Sequence, residues 1–187
     1  DFYQGTELWD LHLVDPDNRR PVHYEEYRQA LGHIRASQQQ KERLTFIHQL
    51  LENPNNGHLK LWITTMALHF RKKHASLFLD GQFQPIESEG PQSPHVCAFG
   101  RIQEEHMAIT MIPRFISNLC QQPGEWPIGT EIWKDTFLRL PHEWVGTQFS
   151  NVFTGETIAS TQQHDETLLP LDKVLQHFPI ALLERAT

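Results

Sequence analysis

Residues 1–22 read DFYQGTELWDLHLVDPDNRRPV. Asp1-Phe2-Tyr3 is a short apolar, strand-like run. It drops at once into Gln4-Gly5-Thr6-Glu7, and then into a loop crowded with Asp15, Asp17, Asn18, Arg19 and Arg20. Pro21 follows at a position suited to the first turn of a helix, where its fixed φ and missing N–H are tolerated. The stretch therefore reads as a strand, a long polar loop and the entry to a helix.

Downstream the pattern is helical. Tyr24, Tyr27, Leu31 and Ile34 recur at spacings of three and four, predicting a helix over 21–37. Leu44, Ile47, Leu50 and Leu51 predict a second over 41–51, and Asn53-Pro54-Asn55-Asn56-Gly57 ends it. The strongest helix spans 58–74. Leu59, Trp62, Ile63, Met66, Ala67 and Phe70 form its apolar face, and Arg71, Lys72 and Lys73 suit its negative C-terminal end.

Near residue 77 the period changes. Short strand-like runs follow at 83–86, 95–102, 106–113, 131–139, 144–153, 168–171 and 181–183, with Thr154-Gly155-Glu156-Thr157 as a turn into another strand. The boundary falls near residues 76–81, helical before and all-β after. The fold class is α+β, with an antiparallel sheet or sandwich in the second part.

The chain has 187 residues, enough for a real core, and a formal net charge of −7. That charge argues against nucleic acid as a partner, because phosphate affinity needs clustered Lys and Arg. No apolar run approaches the roughly 20 residues of a membrane span. Cys97 and Cys120 are the only cysteines and read as free thiols of a reducing compartment. The 12 histidines fall in no metal-binding pattern, so no structural or catalytic metal is expected.

One strand, a long loop, helices and then an antiparallel β domain is an odd order for a whole protein. It is natural for the tail of a (β/α)8 barrel enzyme, in which binding groups sit at the C-terminal ends of the strands. The expectation is that the chain starts mid-protein, at the eighth strand of a barrel whose first seven strands are absent.

The residues themselves carry a likeness. DFYQGTELWDLHLVDPDNRRPV closely resembles the eighth-strand region of the maltooligosyl trehalose synthases, members of the α-amylase superfamily (glycoside hydrolase family 13). KLWITTMALHFRKKHASLF (60–78) and DGQFQPI (80–86) look like that family's last barrel helix and its exit. HVCAFGR (95–101), Ile112-Pro113-Arg114, WKDTFLRLP (133–141), NVFTGET (151–157) and FPIALLE (178–184) look like its C-terminal β domain. His12 and His23 depart from the family pattern; a histidine in place of a capping Asp weakens a helix start.

The resemblance implies a domain division at 1–78 (end of the barrel) and 79–187 (C-terminal β domain). It implies a cytoplasmic isomerase of trehalose biosynthesis that needs no cofactor. This enzyme converts the reducing-end α-1,4 bond of a maltooligosaccharide to α,α-1,1 by a retaining intramolecular transglucosylation. The catalytic carboxylates would lie upstream of Asp1, so the chain alone is expected to be inert and to partner with the missing barrel portion.

Candidate substrate-binding residues are Tyr3, Gln4, Glu7, Asp17, Arg19 and Arg20. Gly5 lets backbone approach a ligand closely. Arg offers a planar fork, and sugars are held by such groups beside aromatic faces. For Gln4 and Glu7 the competing reading is a hydrogen-bond set that satisfies the loop's own backbone. For Asp17, Arg19 and Arg20 it is an ion-pair network. Glu104-Glu105 and Asp165-Glu166 read as solvated turn charges, and His142-Glu143-Trp144 lacks the second His of a zinc motif. Trp126, Trp133 and Trp144 read as core more than as a stacking surface. Two alternatives remain: an autonomous carbohydrate-binding or interaction module, and the C-terminal part of an α-glucan hydrolase.

Overall fold

A computed structural model describes residues 5–11, 21–37 and 40–186, except the side chains of residues 40 and 41. The strand read at Asp1–Tyr3 lies outside the described residues. The chain divides into two compact units, Asp1–Leu68 and His69–Thr187. This division falls inside a helix, ahead of the expected 78/79 boundary.

The first unit is helical: α1 (Tyr24–Ala36), α2 (Gln40–Glu52) and most of α3 (His58–Lys73). Pro21 does not open α1. The helix begins three residues later with His23 at its cap, and the His23 side chain makes no capping hydrogen bond. Between α2 and α3, Pro54–Asn56 forms a 3₁₀ turn closed by Gly57 at φ 76°. Asn56 Oδ1 then accepts the His58 N–H at 2.9 Å, which satisfies one of the free donors at the start of α3. Ala30, Ile34, Ile47, Leu50, Leu59 and Trp62 are buried, and Phe46 meets Trp62 edge to face at 5.5 Å. Leu61 and Thr65 are buried too, so the interior side of α3 is wider than its apolar spacing suggests.

The second unit starts with α4 (Ala75–Leu79) and is otherwise mostly β. Its strands are β1 (Gln82–Ile86), β2 (Ser88–Glu89), β3 (Val96–Gln103), β4 (His106–Pro113), β5 (Phe137–Leu140), β6 (Gln148–Asn151), β7 (Thr157–Ala159), β8 (Thr161–Gln163), β9 (Glu166–Pro170) and β10 (Ala181–Arg185). They form a six-stranded sheet, β1-β3-β4-β10-β6-β7, and a four-stranded sheet, β2-β5-β9-β8. All described pairings are antiparallel. Met107, Ile109 and Met111 on β4, Leu183 on β10, Leu138 on β5 and Leu169 on β9 belong to one core cluster, which both sheets therefore share. The α+β class with antiparallel sheets agrees with the sequence.

Three expected strands are corrected. The run 131–139 is a helical turn, α5 (Thr130–Trp133), followed by β5. Trp133 is fully buried and its Nε1–H donates to the Pro127 carbonyl at 2.7 Å; this anchor bends the backbone away from a strand. The run 144–153 starts in a 3₁₀ turn, His142–Trp144, and only 148–151 are in a strand. Leu171 ends no strand but opens α6 (Leu171–Val174).

Candidate functional site

Residues 5–11 form a turn held against α1 and α3. Gly5 stands at φ 87°, a conformation that side chains disfavour. Its N–H donates to Glu7 Oε2 at 2.9 Å, and its carbonyl accepts the Tyr27 hydroxyl at 2.7 Å. Lys60, from α3, donates its ammonium to the carbonyls of Thr6 and Leu8, the latter at 2.9 Å. The same ammonium lies 5.2 Å from the Trp9 ring centroid, and Trp9 Nε1–H donates to the Pro54 carbonyl at 2.8 Å. Leu8 is buried between these anchors in sequence, while Trp9 and Leu11 are exposed. Burial, then the charge of Glu7, then those of Glu26 and Asp10, push the Tyr27 phenol above its usual range.

Of the sequence-predicted binding residues, Glu7 is described and half-buried. Tyr3, Gln4, Asp17, Arg19 and Arg20 lie outside the described residues, as do Asp15 and Asn18 of the same polar loop. The Glu7 carboxylate accepts its own Gly5 N–H, as the loop-forming reading requires. Sequence reasoning missed Tyr27, Lys60 and Gly57 as parts of this loop. An added Cβ on Gly57 would stand 2.8 Å from the Trp9 backbone nitrogen, so only glycine lets the turn pass so near. No local pattern signals such partners, which are 22 to 54 residues apart in sequence.

In the second unit, Trp133 and Trp144 are buried and Trp126 is half-buried, which removes Trp133 and Trp144 as a stacking surface. Glu166 and Glu105 are not merely solvated: Glu166 is 3.4 Å from Arg139, and Glu105 is 3.1 Å from Arg185. The hydrogen bond that Arg139 Nε–H donates to Glu89 Oε2, with the nearby charges of Glu166, Glu89 and Glu87, raises the pKa of Arg139. Cys97 and Cys120 are free, and burial with the neighbouring Glu125 charge pushes the Cys120 thiol up, away from a reactive thiolate. Among the described residues no group of three His, Cys, Asp or Glu could hold a metal ion, and no helix is long and apolar enough to cross a membrane.

No protein-family model matches the chain. Two curated relatives, provisionally named maltooligosyl trehalose synthases, come from Mycobacterium tuberculosis strains CDC 1551 and H37Rv. Each is 34% identical over 185 residues, or 99% of this chain. The chain is a relative of the maltooligosyl trehalose synthases. It spans 18% of the length of those curated relatives. Among solved structures, the maltooligosyltrehalose synthase of Arthrobacter ramosus and a point mutant of it share the fold. Each has a TM-score of 0.68 and 24% identity over 98% of this chain and 20% of theirs. The maltooligosyl trehalose synthase likeness thus runs through both units, from the Gly5–Leu11 turn to β10.

Proposed function

We propose that the chain is the C-terminal portion of a maltooligosyl trehalose synthase. The parent enzyme converts the reducing-end α-1,4 bond of a maltooligosaccharide to α,α-1,1. It works by a retaining, intramolecular transglucosylation with two carboxylates and a covalent glycosyl-enzyme. The single observation behind this reading is the 34% identity sustained over 99% of the chain.

In this reading residues 1–78 are the eighth strand, loop and last helices of the catalytic barrel, and residues 79–187 are the C-terminal β domain. The catalytic carboxylates come from earlier strands, so the chain alone is inert. Tyr3, Gln4, Glu7, Asp17, Arg19 and Arg20 contribute to the wall around the reducing-end sugars. The latching of residues 5–11 by Lys60 and Tyr27 supports this role: a sugar-binding loop must be held in place before it can orient a substrate. No cofactor takes part. The buried tryptophans of the second unit give no support to an autonomous module that stacks sugars on them.

The test compares this chain with the same chain extended upstream to the parent's start, using maltopentaose. The extended protein should remove reducing ends without releasing glucose, and the chain alone should do neither. Release of glucose or shorter sugars by the extended protein would make the parent a hydrolase. Activity of the chain alone would place a catalytic pair within it.

A further inference from the structure

Asn56 is the only asparagine of the chain that precedes a glycine. Asn18, Asn53, Asn55, Asn118 and Asn151 precede Arg19, Pro54, Asn56, Leu119 and Val152. The backbone nitrogen after an asparagine can attack the side-chain amide. A Cβ on the attacking residue crowds that approach, and proline has no N–H to give up. Gly57 has neither obstacle.

The fold leaves this pair open to reaction. Asn56 ends the 3₁₀ turn and is exposed, so water reaches its amide. The Gly57 N–H is loosely held, since its bond to the Pro54 carbonyl measures 3.4 Å, past the roughly 3.2 Å limit of an ordinary N–H···O bond. Asn56 Oδ1 accepts the His58 N–H at 2.9 Å, at the start of the 16-residue helix α3. Attack on Asn56 Cγ puts negative charge on Oδ1, where the His58 donor and the positive helix end stabilise it as it develops. Asn151 Oδ1 also accepts a backbone N–H, that of Phe153 at 3.0 Å, but Asn151 is buried and precedes the branched Val152.

We propose that Asn56 is a deamidation site of the folded chain. The Gly57 nitrogen bonds to Asn56 Cγ, and the side-chain nitrogen takes up the Gly57 proton and leaves as ammonia. A succinimide ring remains. Water then opens the ring at one of its two carbonyls. Opening at the side-chain carbonyl leaves aspartate at position 56, and opening at the main-chain carbonyl leaves isoaspartate.

The two products act in opposite directions. Aspartate keeps an acceptor for the His58 N–H and adds a negative charge that the start of α3 favours. Isoaspartate lengthens the main chain by one methylene just ahead of Gly57. Little space is free there: a Cβ on Gly57 would stand 2.8 Å from the Trp9 nitrogen and 3.1 Å from Leu8 Cα. Isoaspartate therefore displaces the 5–11 turn and breaks the bond from Trp9 Nε1 to the Pro54 carbonyl. This holds whatever reaction the parent enzyme catalyses.

The experiment holds the full chain at mildly alkaline pH in heavy-oxygen water and maps its tryptic peptides by mass spectrometry. Residues 44–60 form one peptide with Asn53, Asn55 and Asn56. Label should enter at position 56 before any other asparagine, and an isoaspartyl methyltransferase should find isoaspartate there. Asn56→Ser keeps an oxygen for His58 but has no amide, so its peptide should stay unlabelled. Freshly purified Asn56→Asp should melt no lower than the parent chain. The isoaspartate fraction, isolated by chromatography, should melt lower and show red-shifted tryptophan emission. Label first at another asparagine, or at none, overturns the site. Labelling much slower in the folded chain than in the free 44–60 peptide overturns the part given to His58 and α3. An isoaspartate fraction with parent stability and emission overturns the link to the 5–11 turn.

Discussion

Lys60 Nζ donates to the Leu8 carbonyl at 2.9 Å, across 52 residues of sequence. This charged donor serves two backbone carbonyls, those of Thr6 and Leu8, and ties α3 to the 5–11 turn. Lys60→Met keeps the aliphatic stem and removes the donor. The variant should lose about 1–2 kcal/mol, the lower range for hydrogen bonds from a charged group, since the site is half-exposed. Chemical denaturation measures the loss, and hydrogen exchange should rise first at the amides of Leu8 and Trp9. Unchanged exchange there would mean that the turn is held by other contacts.

Tyr27 gives a pH signature to the same turn. Its phenol donates to Gly5 and its pKa is raised by burial and by Glu7, Glu26 and Asp10. Above about pH 10, the ordinary tyrosine value, the unfolded chain begins to lose the proton while the folded chain keeps it. The folded state then binds more protons, so stability falls as pH rises. The contribution is full below that pH and is lost as pH climbs through the folded pKa. Tyr27→Phe should cost about 1 kcal/mol at pH 7 and should flatten the alkaline fall relative to the parent chain. Parallel slopes for the two proteins between pH 9 and 11 would contradict the assignment.

Gly57→Ala tests the close approach of two backbones. The position sits at φ 76° and the new Cβ would lie 2.8 Å from the Trp9 nitrogen. Left-handed strain alone costs about 1–3 kcal/mol, and the clash falls on backbone that cannot rotate away. The melting temperature should drop, and Trp9 emission should shift red as its indole loses the Pro54 carbonyl. Retained stability with native Trp9 emission would show that the turn can move aside cheaply.

How far the sequence speaks depends on how local the cause is. β4 was legible to its ends, His106–Pro113, because a two-residue turn precedes it and Met107, Ile109 and Met111 alternate inward. α3 was legible from its apolar spacing. β8 was not: Thr161–Gln163 is polar and exposed throughout, and only pairing with β9 makes it a strand. α5 was hidden because Trp133 answers to Pro127 and to the shared core rather than to a local period. For the site, Glu7 beside Gly5 stood out as a polar turn, but Tyr27, Lys60 and Gly57 act from distant sequence and leave no nearby mark.

Glu7 separates the two roles left open for the turn. Its carboxylate accepts the Gly5 N–H at 2.9 Å. Glu7→Gln keeps an acceptor oxygen for that bond, whereas Glu7→Ala removes it and should cost about 1 kcal/mol. In the extended protein, Glu7→Gln should hold the melting temperature and raise KM for maltopentaose several-fold, with kcat changed less, as expected for a group that binds sugar without entering the chemistry. An unchanged KM in Glu7→Gln, with instability confined to Glu7→Ala, would assign Glu7 to the turn alone. The wall around the reducing-end sugar would then rest on Tyr3, Gln4, Asp17, Arg19 and Arg20, to be tested by the same split between KM and kcat.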